Sequence, residues 1–145
     1  MNLRDRLPKI LVITVLVAGV AVIAWDITST SSPPGSAHIV VKVPQLSSLA
    51  KRGEKDFNTN CAVCHGKNAS GTDKGPPLVH DIYNPGHHAD MAFTLAVRRG
   101  TRRHHWPYGD MPPQPQVTKS QLKAIVKYVR ELQKANGIVY REHHM

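Results

Sequence analysis

The stretch Cys61-Ala-Val-Cys64-His65 contains both cysteines of the chain and decides how the rest of the sequence is interpreted. Two thiols three positions apart on a helical turn can add to the two vinyl groups of a haem, and the histidine that follows can then ligate its iron. A redox dithiol and a zinc site are the alternatives. The first normally follows a strand, whereas the residues before Cys61 have helical periodicity, and the second would need a second cysteine pair. The motif therefore favours covalent haem attachment.

The composition is compatible with a small domain that contains a cofactor. The chain has 145 residues, which suggests one domain with terminal extensions, and its 6% of aromatic residues is low for a core built from protein alone. Nineteen Lys and Arg residues against ten Asp and Glu residues give a formal net charge of +9, which bears on partners and not on fold. The composition excludes a coiled coil, a disulfide-dense mini-protein and a fully disordered chain.

An uncharged apolar run, residues 10–25, follows the basic residues Arg4, Arg6 and Lys9. Its 16 positions lie between the about 7–15 residues of a signal-peptide core and the about 17–25 of a membrane span. We expect residues 1–27 to be a retained membrane anchor, with a cleaved signal peptide as the alternative. Either would export the rest of the chain, because the basic residues favour a cytoplasmic N-terminus.

The remaining sequence divides into a linker, a domain and a tail. Residues 28–45 begin as a Ser- and Pro-rich stretch with nothing to bury and are predicted as the linker. Within it, the apolar segment 38–43 could lie against the domain as an edge strand or be more linker. Residues 46–137 are predicted as the domain proper and residues 138–145 as a C-terminal tail.

Sequence pieces on both sides of the haem motif resemble the class I c-type cytochromes over residues 47–137. Ahead of the motif, Leu49, Gly53 and Phe57 recur every four residues on one face of a predicted helix. In that family this helix crosses the C-terminal helix closely, and Gly53 and Phe57 look like the glycine and the aromatic residue at the crossing. The resemblance implies an all-α fold of three to five helices around one covalently bound haem, preceded here by the N-terminal membrane or signal helix.

The C-terminal part of the domain predicts the partner helix. Thr118-Lys-Ser-Gln121 forms a capping box, and Asn136-Gly137 is a stop signal. Tyr128 is expected near the crossing, where the family usually keeps an aromatic residue. One apolar stripe runs along the helix and consists of Leu122, Ile125, Val126, Val129 and Leu132.

The resemblance also implies how the haem is held on the proximal side. Cys61 and Cys64 would form the thioethers, and His65 would ligate the iron. The segment Gly75-Pro-Pro-Leu78 is similar to the family's Gly-Pro-x-Leu loop. The carbonyl of Pro76 would accordingly accept a hydrogen bond from Nδ1 of His65, which fixes the tautomer of the ring.

The sixth iron ligand implied by the resemblance is Met111. It lies in Tyr108-Gly-Asp-Met-Pro-Pro113, which resembles the family's distal Met-Pro segment. A neutral thioether favours ferrous iron and raises the reduction potential. Met91, which is spaced with Leu95 on a predicted helix that ends at Gly100, is expected to pack in the core.

Two further groups of residues allow two readings each. The pairs His87-His88 and His104-His105 could hold a second metal, or they could cap a helix and face solvent or the haem propionates. Trp106 is expected to pack in the haem pocket or to donate to a propionate. An arginine cluster could either dock an acidic partner or neutralise propionates; it consists of Arg98, Arg99, Arg102 and Arg103.

These expectations describe a monohaem c-type cytochrome on the periplasmic side of the cytoplasmic membrane. It would carry single electrons from a membrane donor to an oxidase, reductase or dehydrogenase, through partners with acidic docking surfaces. A fixed haem c subunit of a specific oxidoreductase complex is one alternative, and a haem enzyme or gas sensor with a displaceable Met111 is another. Six-coordinate iron has no open position, so neither catalysis nor a small-molecule substrate is expected. Nucleic acid is not expected, because an exported domain meets none.

Overall fold

The computed structural model describes residues 13–22 and 38–142. It divides the chain into two compact units, Met1–Pro33 and Pro34–Met145. In the first unit, residues 13–22 are helical (α1), and their large apolar side chains are exposed. Within the described ranges, no helix is both long enough and apolar enough to cross a membrane. The rest of the predicted anchor, residues 1–27, lies outside the described residues.

The second unit is built from helices, as the sequence predicts. Within residues 38–142, the single β-type pairing is an isolated antiparallel bridge between Thr101 and Met111. The helical elements are α2 (Ser48–Asn60), α3 (Ala62–His65), a 3-10 turn (Lys67–Ala69), a second 3-10 turn (Asp81–Tyr83), α4 (Asp90–Arg99) and α5 (Lys119–Ala135).

Helices α2 and α5 cross with their backbones in close contact at Gly53. A Cβ atom built on Gly53 would lie 2.9 Å from the amide nitrogen of Ile125 and closer still to the carbonyl group of Ala124. Beside this point the rings of Phe57 and Tyr128 are tilted against each other with centroids 5.5 Å apart, and both residues are fully buried. The predicted crossing is therefore confirmed.

Both helices of this pair begin at side-chain caps. The Thr118 hydroxyl accepts from the amide of Gln121 at 3.3 Å, and the Gln121 side-chain oxygen accepts from the amide of Thr118 at 3.0 Å, so the predicted capping box is confirmed. The Ser47 hydroxyl accepts from the amide of Ala50 at the start of α2 and donates to Glu131 of α5 at 2.7 Å. The start of α2 is thus tied to α5.

Glu131 connects the two helices through charge-assisted hydrogen bonds. Its other carboxylate oxygen accepts from the backbone amide of Ser47 at 2.9 Å, and Lys127 lies 3.2 Å away along α5. Burial alone would raise the pKa of Glu131, but the bonds from Ser47 and the charge of Lys127 together hold the pKa below its usual value. The carboxylate therefore stays ionised at neutral pH.

The segment 38–43 lies against the domain without forming a strand. The backbone amide and carbonyl of Lys42 pair with the side chain of Asn136 at 2.9 and 2.8 Å, and the amide of Ile39 donates to the carbonyl of Ser70 at 2.9 Å. Ile39 and Val41 pack against the core. At the other end, Ile138 of the predicted tail is buried in the same core. The packed unit thus extends past the predicted domain on both sides.

The predicted packing of Met91 in the core is wrong, because its side chain is 63% exposed. Helix α4 directs Phe93 and Val97 toward the core instead. Met91 and Leu95 do share a helical face, as their spacing requires, but that face is not covered by another helix. Spacing identifies the residues that share a face and does not identify the face that is buried.

Candidate haem site

An apolar cavity of about 460 Å³ lies between α3, α4 and the loops that follow them. It has the size and the largely apolar lining typical of cofactor pockets. Both predicted iron ligands, His65 and Met111, contribute to its wall, as does Pro76. Its other lining residues include Leu78, Tyr83, Phe93, Leu95, Val97, Trp106 and Tyr108.

The Cys-x-x-Cys-His motif follows directly on α2 and includes α3. The amide of Cys61 donates to Phe57 at 2.8 Å as the cap of α2, and the amide of His65 donates to the carbonyl of Cys61 at 2.9 Å. Cys61 and Cys64 are half-buried and do not form a disulfide. Burial, with contributions from Cys64 and Asp56, raises the pKa of Cys61 to about 11. Redox dithiols depend on a lowered pKa, so this environment does not favour the dithiol alternative.

His65 is oriented by the loop that follows it. Its Nδ1 lies 2.9 Å from the carbonyl oxygen of Pro76, an arrangement that places the proton on Nδ1 and leaves the Nε2 lone pair for a metal. Burial lowers the pKa of His65, although the bond to Pro76 opposes this effect, and the ring is therefore neutral as metal ligation requires. The loop is fastened by a hydrogen bond from the Thr72 hydroxyl to the carbonyl of Cys64.

Met111 is held by its backbone. Its amide and carbonyl exchange two hydrogen bonds of 2.9 Å with Thr101, directly after α4. Gly100 makes this approach possible, because it has φ of +76° and a Cβ there would lie 2.6 Å from the Met111 carbonyl oxygen and 3.2 Å from Cδ of Pro113. The glycine that ends α4 thus also positions the methionine segment.

The cavity also contains groups that suit the carboxylates of a haem. The indole Nε1 of Trp106 is buried and has no acceptor within the part of the chain that the structure describes, an arrangement that costs about 1–3 kcal/mol unless a ligand supplies the acceptor. Arg99, Arg102 and Arg103 line the cavity as well. Arg98 does not, since its guanidinium donates to the carbonyl of Val117 at 2.7 Å. An apolar wall with an unpartnered donor and three cations fits a haem and its two propionates.

Arg130 of α5 is a functional residue that the sequence analysis missed. Its guanidinium donates to Asp90 at 2.7 Å, to the carbonyl of Tyr83 at 2.8 Å and to the carbonyl of His88. It also lies over the ring of Phe93, 4.8 Å from the centroid. This one side chain therefore fastens the loop before α4, and two residues of the cavity wall, to the core helix.

Gln133, one turn further along α5, supports the same loop and was also missed. It is fully buried, and its amide nitrogen donates to the carbonyls of Leu78 at 2.8 Å and Tyr83 at 3.2 Å. Its oxygen accepts from Arg130 at 2.6 Å. The available signal was a glutamine four residues after Val129, on the apolar stripe, where an amide requires hydrogen-bond partners. The sequence does not reveal which carbonyls those are.

Comparisons with known proteins agree with this site. The cytochrome c family model matches residues 50–133, more than half of the chain. The cbb3-type cytochrome c oxidase subunit CcoP of Rhodobacter capsulatus is 31% identical over 87 residues, which cover 57% of this chain and 29% of that protein. A second CcoP, from another strain of the same species, is 29% identical over 92 residues, 61% of this chain and 31% of that protein.

These matches cover less than a third of the length of either relative. No solved structure matches the chain. The family match includes the two cysteines of the Cys-x-x-Cys-His motif, and the motif lies beside the apolar cavity. The chain therefore belongs to the cytochrome c family, and its cofactor is a covalently bound haem c.

Proposed function

We propose that the chain is a monohaem electron carrier in which Cys61 and Cys64 bind the haem and His65 and Met111 ligate its iron. The observation that carries this proposal is that His65 and Met111 both line one apolar cavity beside the cysteine motif, each held by backbone hydrogen bonds. When bound, the haem supplies reversible one-electron chemistry between ferric and ferrous iron.

The residues of the chain set the conditions for that chemistry. The carbonyl of Pro76 holds the His65 ring in one tautomer, which raises its basicity as a ligand. The Met111 thioether is a neutral, soft donor that stabilises ferrous iron, and two protein ligands leave no position for a substrate. Trp106 and the arginines at the cavity supply a donor and positive charge for the propionates. This arrangement supports electron transfer without catalysis.

A fixed subunit of a membrane oxidoreductase is the second candidate, and the names of the two relatives, both oxidase subunits, favour it. In either case we propose a periplasmic domain tethered through residues 1–27, a proposal supported by the apolar run 10–25 and its basic flank. The exposed Arg99, Arg102 and Arg103, with the net charge of +9, suit partners with acidic docking surfaces.

Optical spectra of the protein with its haem attached test the ligation. The ferric protein should show the far-red band of methionine ligation, and the ferrous protein should not bind carbon monoxide. Met111→Ala should lose the band and gain carbon monoxide binding. Met91→Ala is the matched control, because Met91 is 63% exposed and does not line the cavity. Carbon monoxide binding by the unaltered protein would contradict the proposal.

Purification from native membranes distinguishes the carrier from the subunit. A fixed subunit should co-purify with oxidase or other complex subunits in a constant molar ratio after mild detergent extraction. A carrier should separate from them, most completely at high salt, because exposed charges are screened there. Release of the haem domain from membranes by salt alone would contradict the proposed anchor.

A further inference from the structure

Four histidines from two separate loops meet beside the haem cavity. The ring centroids of His87 and His88 are 4.6 Å apart, and those of His104 and His105 are 4.2 Å apart. Across the two loops, the ring of His105 lies 5.1 Å from each of the other pair. One ring nitrogen from each of His87, His88 and His105 lies within 4.8 Å of the other two.

The histidine pairs do not serve as helix caps. The cap of α4 is Ala89, which makes no side-chain capping bond, and the histidine that caps a helical turn is His80, whose Nδ1 accepts from the amide of Ile82. The capping explanation of the two pairs is therefore wrong. Their arrangement requires another explanation, because imidazoles crowded together repel each other when they are protonated.

Two of the four rings are already oriented as metal ligands are. Nδ1 of His88 lies 2.8 Å from the carbonyl of Ile82, and Nδ1 of His104 lies 2.8 Å from the carbonyl of Arg102. With its proton on Nδ1, each ring has its lone pair on Nε2, and such carbonyl partners usually accompany metal-bound histidines. The backbone of His88 is itself fixed, since its carbonyl accepts from Arg130.

The local electrostatics keep the rings neutral. Burial and the neighbouring histidines lower the pKa of His88, with a smaller opposing effect from its bond to Ile82. Burial, His104 and His87 also lower the pKa of His105. Metals bind the neutral form of imidazole, so deprotonation of these rings costs little at neutral pH.

We propose that His87, His88 and His105, with His104 as a fourth donor, form a second metal site that binds a copper ion. Imidazoles suit copper, zinc and nickel, and Cu²⁺ forms the most stable complexes of the divalent series. Arg102 and Arg103, which directly precede the second pair, disfavour weakly held cations. Metal–nitrogen distances of about 2.0–2.1 Å place ligand atoms about 3.3 Å apart, so the rings must draw together from the separations of up to 4.8 Å.

Copper titration of the full-length protein with its haem attached, purified without a histidine tag, tests the proposal. Calorimetry with Cu²⁺ should give one tight site per chain, and the paramagnetic resonance spectrum of Cu²⁺ should show coupling to at least three nitrogens. His87→Gln/His105→Gln should bind Cu²⁺ at least about 100-fold more weakly, because a lost ligand costs more than a lost outer partner. The control is His143→Gln/His144→Gln, which removes the same number of imidazoles and should bind as before.

Three results would overturn the proposal. One is the absence of a stoichiometric site in the unaltered protein, and another is unchanged binding by the His87/His105 variant with its haem spectrum intact. The third is loss of the site in the tail variant. If the His87/His105 variant fails to fold, the resonance spectrum of the unaltered protein decides, since coupling to fewer than three nitrogens excludes the site. The Met111→Ala variant should bind copper normally, so this test is independent of the proposed haem ligation.

Discussion

Replacing Gly53 with alanine should destabilise the holoprotein by about 3 kcal/mol, although alanine is the better helix former. The new Cβ would lie 2.9 Å from the Ile125 amide nitrogen and closer to the Ala124 carbonyl, and all of these obstacles are backbone atoms. A rotamer change cannot relieve the clash. Helices α2 and α5 would have to separate by on the order of 1.5 Å to restore ordinary contact distances.

The magnitude follows from two opposing effects. Alanine in place of glycine within a helix stabilises it by about 1 kcal/mol. Overpacking typically costs about 1–3 kcal/mol where side chains can yield, and about 4 kcal/mol is reasonable where two backbones meet. The separation also loosens the side chains that are fully buried at the crossing, Phe57 and Tyr128 among them. The difference, about 3 kcal/mol, corresponds to a Tm about 10–20 °C lower for a domain of this size.

Thermal and denaturant unfolding of the holoprotein, followed by circular dichroism, measures this loss. Asn58→Ala is the matched control, because it is an exposed residue of the same helix and gains helix propensity without meeting α5. It should be neutral or slightly stabilising. A Gly53→Ala protein as stable as the unaltered one would refute the close crossing.

Three other variants test the contacts around the site. Gly100→Ala should weaken methionine ligation, seen as a smaller far-red band, because it forces a positive φ on alanine and places Cβ 2.6 Å from the Met111 carbonyl. Arg130→Met should lower the free energy of unfolding by about 2–4 kcal/mol by leaving buried carbonyls unpaired, whereas Arg141→Met, which removes an exposed ion pair, should cost less than about 1 kcal/mol. The folded-state pKa of Glu131 is lowered, so its stabilisation is complete above its ordinary pKa of 4.5 and is lost as pH falls through the folded value. Denaturant midpoints against pH should therefore fall more steeply in acid for the unaltered protein than for Glu131→Gln; parallel curves would contradict this linkage.

The features that the sequence predicted correctly are those in which a local pattern has one structural cause. A capping box satisfies backbone amides within four residues, so Thr118 and Gln121 identify the start of α5 without tertiary information. Gly53 and Phe57 identify the crossing because a glycine on the apolar face of a helix is costly unless a backbone lies against it. In both cases the penalty for any other arrangement can be estimated from the residue types alone.

The features that it missed depend on the path of the chain between helices. The exposed position of Met91 follows from the direction in which α4 leaves its loop, which no periodicity encodes. The hydrogen bonds of Arg130 and Gln133 connect α5 to carbonyls about fifty residues earlier in the chain. An arginine on a helix is typical of a solvated surface, and its partners become evident only when the loop is in place.

Arg130 also explains why the haem cavity and the histidine cluster occur side by side. The loop between Leu78 and α4 has few apolar contacts of its own, and its backbone is fixed by the bonds from Arg130 to Tyr83 and His88. Tyr83 lines the haem cavity, while His88 lines the cavity and belongs to the cluster. Both depend on α5, which Gly53 brings against α2 and the cysteine motif that follows it. The packing that stabilises this domain therefore also positions the groups that would hold its metals.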